Sequence, residues 1–188
     1  SSMFKSNAAI NSALLGPDIC GGAIYAVDGA QLTVAGTTFV SNLGTGGGAV
    51  ALESSDAATD PTRGDFTSCL FESNSATDPD SEPKDGGGIY SKNSPITLGS
   101  CNFTANEGFY GGGMYVNFAK DVVNDNRITL ESTIFYQNNA RGTGGGLYAE
   151  QAFNNDESTP MIRFKGGENV FDGNKDFIGG ENSNALFI

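Results

Sequence analysis

The stretch Ile96-Thr97-Leu98-Gly99-Ser100-Cys101-Asn102-Phe103-Thr104-Ala105-Asn106 is echoed 32 residues later by Ile128-Thr129-Leu130-Glu131-Ser132-Thr133-Ile134-Phe135-Tyr136-Gln137-Asn138, and the shared positions decide the fold. The part that recurs along the whole chain is Phe-x-x-Asn: Phe4 with Asn7, Phe39 with Asn42, Phe71 with Asn74, Phe103 with Asn106, Phe135 with Asn138 and Phe171 with Asn174. Successive Phe residues lie 35, 32, 32, 32 and 36 apart. A second motif is interleaved, as Gly21-Gly22-Ala23-Ile24, Gly47-Gly48-Ala49-Val50, Gly86-Gly87-Gly88-Ile89, Gly111-Gly112-Gly113-Met114 and Gly144-Gly145-Gly146-Leu147, with a degenerate Gly179-Gly180. A fixed period in this range marks a stacked array of like units.

Five positions before each Phe stand Val34, Phe66, Leu98 and Leu130, and seven before stand Leu32, Ile96 and Ile128, with Gly64 as the exception. Apolar residues at spacing two mark a strand with one buried face. Ile162-Arg163-Phe164 joins this set if two extra residues precede Phe171. The Phe segment supplies a second strand, and a third follows each Gly cluster, as in Ile89-Tyr90-Ser91 and Met114-Tyr115-Val116. Three short strands per repeat, none with a hairpin partner nearby, pair best in parallel with their equivalents one turn later. The expectation is an all-β fold, a right-handed parallel β-helix (β-solenoid) of about five to six coils of roughly 32 residues, with 1–188 a single segment of a longer repeat protein.

Such winding places Phe on Phe and Asn on Asn in vertical ladders. Stacked rings gain about 0.5 to 1.5 kcal/mol per pair beyond burial. An Asn at a corner can bond its neighbours above and below and the turning backbone, which makes the Asn column a structural device. The Gly clusters serve the bends. A phosphate-binding loop would need a helix after the glycines, and a strand follows here.

The 22 acidic against 10 basic residues give a net charge of −12, which disfavours nucleic acid and anionic lipid as partners. No 18-residue apolar run is present to insert directly into a bilayer. The chain has no His, which removes the commonest general base and most zinc sites. No cofactor and no metal is expected. Asp78, Asp80, Glu82 and Asp85 form one acidic stretch, and Asp121, Asn124, Asp125 and Asn126 another, but neither has a calcium-loop pattern. Carboxylates from neighbouring coils could in principle cleave a polysaccharide, so an enzyme stands as the second alternative.

Four tyrosines, Tyr25, Tyr90, Tyr115 and Tyr148, each follow an inward aliphatic residue, with Ala51 interrupting. Alternation points them outward, as an exposed ladder for a glycan or protein partner or as a ring stack that stabilises its own sheet. Cys69 and Cys101 each stand two residues before a Phe, one repeat apart, and become vertical neighbours about 4.8 Å apart. Two small apolar residues in a stack and a disulfide are both open readings. Asn102-Phe103-Thr104 is the one N-glycosylation sequon, with Asn102 facing solvent. An ice-binding face would need a regular outward Thr array, and the column Thr37, Cys69, Cys101, Thr133, Asn169 is not regular.

The pairing of Gly-Gly-Ala-Ile with Phe-x-x-Asn resembles the repeat signature of the chlamydial polymorphic membrane proteins, and Cys20-Gly21-Gly22-Ala23-Ile24-Tyr25-Ala26 is the nearest stretch. Similar repeats occur in predicted surface proteins of protists and algae. The resemblance implies a non-catalytic structural or adhesive segment of an extracellular or cell-surface protein. Its partners would be neighbouring domains, copies of the same protein, or a host or cell-surface glycan or protein. It implies no catalytic residue, because the motif residues are those assigned to turns and core.

Overall fold

The computed structural model describes residues 2–9, 20–55, 61–77, 84–118, 128–151, 162–177 and 186–187. Every strand in it pairs in parallel with the equivalent strand of the next repeat, which makes the fold a parallel β-solenoid with no helix among the described residues. The Phe sheet stacks Ser2–Lys5, Thr37–Val40, Leu70–Glu72, Asn102–Thr104, Ile134–Tyr136 and Val170–Asp172. The Tyr sheet stacks Ile24–Val27, Val50–Glu53, Ile89–Lys92, Met114–Phe118, Leu147–Gln151 and Leu186–Phe187. The Ile/Leu sheet holds Gln31–Ala35, Arg63–Thr67, Ile96–Gly99, Ile128–Glu131 and Ile162–Phe164.

Three strands per coil were expected, and the structure has a fourth. Ala8–Ala9, Leu43–Gly44, Ser75–Ala76, Glu107–Gly108, Asn139–Ala140 and Lys175–Asp176 form a corner sheet directly after each Asn. Two residues are too few to display an alternation, so no periodicity announces them. The register otherwise follows the repeat: Phe39 pairs with Phe71, Phe71 with Phe103, and Ile128 with Ile162 despite the irregular last repeat. Gly64 takes the Ile96 position, where Leu52 and Phe66 side chains fill the space a Cβ would need.

The regular Phe spacing conceals an uneven coil. The paired residues that open the Tyr sheet, Ile24, Val50, Ile89, Met114 and Leu147, step by 26, 39, 25 and 33. A minimal coil therefore takes about 25 residues, and the surplus leaves either before or after the Tyr sheet. Equal Phe-to-Phe distances arise because each of the central repeats carries one such surplus.

The interior is a set of columns. Adjacent Phe rings stack from Phe4 to Phe171 at centroid distances of 5.2, 4.8, 4.5, 4.7 and 4.8 Å, nearly parallel throughout. At the corner beside them, the amides of the four inner Asn residues use their full bonding capacity. Asn106 Nδ2 donates to Asn138 Oδ1 and to Phe71 O, both at 2.9 Å, while Asn106 Oδ1 accepts from Asn74 Nδ2 at 2.9 Å and Asn74 N at 3.0 Å. The same set repeats at Asn42, Asn74 and Asn138. The bend is made one residue earlier, where Ser6, Ser41, Ser73, Ala105 and Gln137 adopt φ between 53° and 55°. Left-handed backbone is unfavourable for these residues, so the amide bonds that close the corner hold it in place. At the bend into the Tyr sheet the requirement is stricter. Gly111 has φ 62°, and a Cβ on it or on Gly112 would collide with backbone of its own or the next coil.

Replacing Asn106 with Ala would remove one hydrogen bond from each of four buried polar groups: Asn74 N, Asn74 Nδ2, Phe71 O and Asn138 Oδ1. Asn106→Ala is expected to lower unfolding stability by about 3 to 5 kcal/mol in a denaturant titration.

Candidate functional site

The outer face of the Tyr sheet gathers more side-chain chemistry than any other described surface. Inward Ile24, Val50, Ile89, Met114 and Leu147 leave Tyr25, Ala51, Tyr90, Tyr115 and Tyr148 in register on the outside. Tyr90 stacks on Tyr115 at 5.3 Å and Tyr115 on Tyr148 at 5.6 Å. Tyr110, from the segment leading into the Gly cluster, stacks on Tyr148 at 4.9 Å.

Of the two readings of this column, the arrangement is the ring stack and not the exposed ladder. Tyr90 and Tyr115 are 8% and 6% exposed, Tyr148 is half-buried, and only Tyr25, at 37%, lies open. Ala51, Tyr90 and Tyr115 form a small apolar cluster outside the main core, with Tyr110 and Tyr148 packed against it. Alternation assigned the correct side of the sheet, but the rings are packed against one another and against Tyr110.

Two residues beyond each tyrosine position the next outward row runs Val27, Glu53, Lys92, Asn117, Glu150. Lys92 Nζ pairs with Glu53 Oε1 at 2.9 Å, and Tyr25 OH donates to Glu53 Oε2 at 3.1 Å. Tyr115 OH donates to Glu150 Oε2 at 2.8 Å, and Asn117 Nδ2 donates to the same oxygen at 3.0 Å. Burial, reinforced by the Glu53 charge, pushes the Tyr25 hydroxyl up to about 12. Burial raises Tyr90, Tyr115 and Tyr148 as well. These hydroxyls are therefore neutral at physiological pH, and those of Tyr25 and Tyr115 donate to carboxylates. Asp85 Oδ1 accepts from Tyr110 N at 3.1 Å, and burial pushes its carboxyl up to about 6, with the Glu150 charge adding to the rise.

The remaining candidates are placed elsewhere. Asn102 is exposed on the outer face of the Phe sheet, with Thr104 half-buried two residues on. Thr37, Cys69, Cys101 and Thr133 all point into the fold and are buried, so the column cannot present an ice-binding surface. Asp78, Asp80, Glu82, Asp121, Asn124, Asp125, Asn126 and Gly179-Gly180 lie outside the described residues. Among the described residues no cluster of three or more His, Cys, Asp or Glu side chains is arranged to hold a metal.

With this geometry in hand, the comparison with known families falls on one coil. Residues 68–92, from the turn before Cys69 through Phe71, Asn74 and the Gly cluster to the Tyr90 strand, match the model of the Chlamydia polymorphic membrane protein (Chlamydia_PMP) repeat. This coil is polymorphic-membrane-protein-like. No curated protein and no solved structure matches the chain. In the polymorphic-membrane-protein-like coil, as in the others, the residues of the motif all have structural work: the Phe stacks, the Asn caps a corner, and the glycines make a bend. Sequence reasoning missed Tyr110 and the roles of Asp85, Glu53 and Glu150. Glu53 and Glu150 occupy the second outward position of their strands, so the strand pattern could have found them; Tyr110 belongs to no strand and gave no such signal.

Because the fold binds the Asp85 proton more tightly than the unfolded chain does, this group's contribution to stability is present below pH 4 and is lost as pH rises through 6. Asp85→Asn keeps an acceptor for Tyr110 N. Relative to wild type it should gain about 2 kcal/mol of unfolding stability between pH 4 and pH 7, read from urea titrations at both pH values.

Proposed function

We propose that this chain is a non-catalytic structural or adhesive segment of a large extracellular or cell-surface β-helix protein. The observation that carries the reading is that each residue type of the repeat signature is consumed inside the fold. The Phe rings bond to one another, the Asn amides are filled by their neighbours, and the bends need their glycines. Activity of any kind is thus left to the outer faces and connections, which is how a solenoid scaffold presents partners with variable surface on a constant frame. The similarity of one coil to a polymorphic membrane protein repeat supports a location at a cell surface.

Partners of this scaffold are neighbouring domains, further copies of the same protein, or a host or cell-surface glycan or protein. The Tyr sheet is no longer the surface to expect them on, because its central rings are packed away. The outer face of the Phe sheet is more open, with Met3, Ile134 and Tyr136 exposed beside Asn102. The charge row beside the tyrosines is occupied by its own pairs, Lys92 with Glu53 and Tyr115 with Glu150, which supports a supporting role over an acid–base one.

Electron microscopy of the purified chain, paired with glycan- and cell-binding assays and a reducing-end assay on polysaccharides, tests the proposal. Rods that bind or assemble without releasing reducing ends are expected. Release of reducing ends that disappears in Asp85→Asn would overturn it.

A further inference from the structure

The turn from the Ile/Leu sheet into the Phe sheet repeats one side-chain device. Thr37 Oγ1 donates to Ala35 O at 3.1 Å, and Thr133 Oγ1 donates to Glu131 O at 3.2 Å and to Leu98 O of the preceding coil at 3.3 Å. In the two coils between them the same position is cysteine. Cys69 Sγ reaches Thr67 O at 3.4 Å and Val34 O at 3.6 Å, and Cys101 Sγ reaches Gly99 O at 3.4 Å and Phe66 O at 3.5 Å. A thiol is a weak donor, and Thr already meets the demands of this turn with shorter bonds. Turn closure therefore does not account for two successive cysteines.

Their placement does. Leu70 pairs in register with Asn102, so Cys69 and Cys101 face each other one residue earlier on adjacent coils, both buried and both free thiols. Asn102 N also donates to Cys69 O at 2.9 Å, which fixes the two cysteines on adjacent rungs. The spacing of adjacent strands, about 4.8 Å, lies within the Cα separation that a disulfide spans, roughly 4.4 to 6.8 Å.

We propose that Cys69 and Cys101 are a cross-coil disulfide site, closed by a disulfide oxidant while the coils stack. One thiolate attacks the oxidant, forming a mixed disulfide and releasing one thiol. The second thiolate attacks the cysteine sulfur of that mixed disulfide, forming the Sγ–Sγ bond and releasing the second thiol. The two cysteines give up two protons and two electrons, and the oxidant leaves as two thiols. Because both sulfurs are buried in the finished fold, the exchange precedes its closure. The bond ties one rung to the next and closes a loop of 32 residues in the unfolded chain.

The test is oxidative refolding of the whole chain with oxidised glutathione, then alkylation, trypsin and mass mapping. A joined pair of peptides 64–84 and 93–120, two hydrogens lighter than their sum, is expected, with Cys20 alkylated. Alkylation of both Cys69 and Cys101 in refolded protein, or a link from either to Cys20, would overturn the proposal. The double variant C69T/C101T installs the residue that the column itself uses and is expected to fold. Dithiothreitol should lower the unfolding midpoint of oxidised wild type by about 5 to 10 °C and leave that of the double variant unmoved. Equal wild-type midpoints with and without reductant would also overturn it.

Discussion

A corner buried in a β-solenoid has to satisfy its own polar groups, and the Asn amide ladder is how this chain does so. Each inner amide spends two donors and two acceptor positions on its neighbours, and three of those four contacts belong to the Asn residues above and below. No single coil can close its corner alone. The left-handed residue before each Asn, the ring stack three residues earlier and the short corner strands after it all presuppose this bonding. Cooperativity along the axis is thus built into one side chain, whose loss anywhere opens bonds in two adjacent coils.

Much of the fold was legible because ladders repeat residue identity. Phe on Phe and Ile128 on Ile162 could be aligned by inspection, since an inner column repeats the same or a similar side chain at most levels. What was not legible had no identity to repeat. The corner strands vary from Ala8-Ala9 to Lys175-Asp176 and contribute backbone pairing without a common side chain. The candidate site suffered from a different gap. Alternation told that Tyr90 and Tyr115 stand on the outer side of the sheet, but a period of two carries no information about what lies over that side. Tyr110 sits outside any strand, and its contact with Tyr148 follows from chain path alone.

The outer faces divide the labour differently from the interior. Beside the Tyr stack, charge and hydroxyl partners cross between coils: Glu53 holds Lys92 and Tyr25, and Glu150 holds Tyr115 and Asn117. These contacts add lateral cohesion to a sheet whose strands already share backbone bonds. The outer face of the Phe sheet has a mixed character, with Leu70, Asn102, Ile134 and Val170 in one row and Glu72, Thr104, Tyr136 and Asp172 in the next. Such a row changes from coil to coil where the interior does not.

Parallel stacking also determines how far such a molecule can reach. Each coil advances only one strand spacing, about 4.8 Å, so the climb from Phe4 to Phe171 covers about 24 Å. To hold a surface about 100 Å from its base, a solenoid of this kind would need about 20 coils, on the order of 650 residues. A single α-helix would span the same distance in about 70 residues, but as a thin and bendable rod. The solenoid exchanges economy of chain for breadth and stiffness, and every step outward adds a fresh strip of surface on several sides.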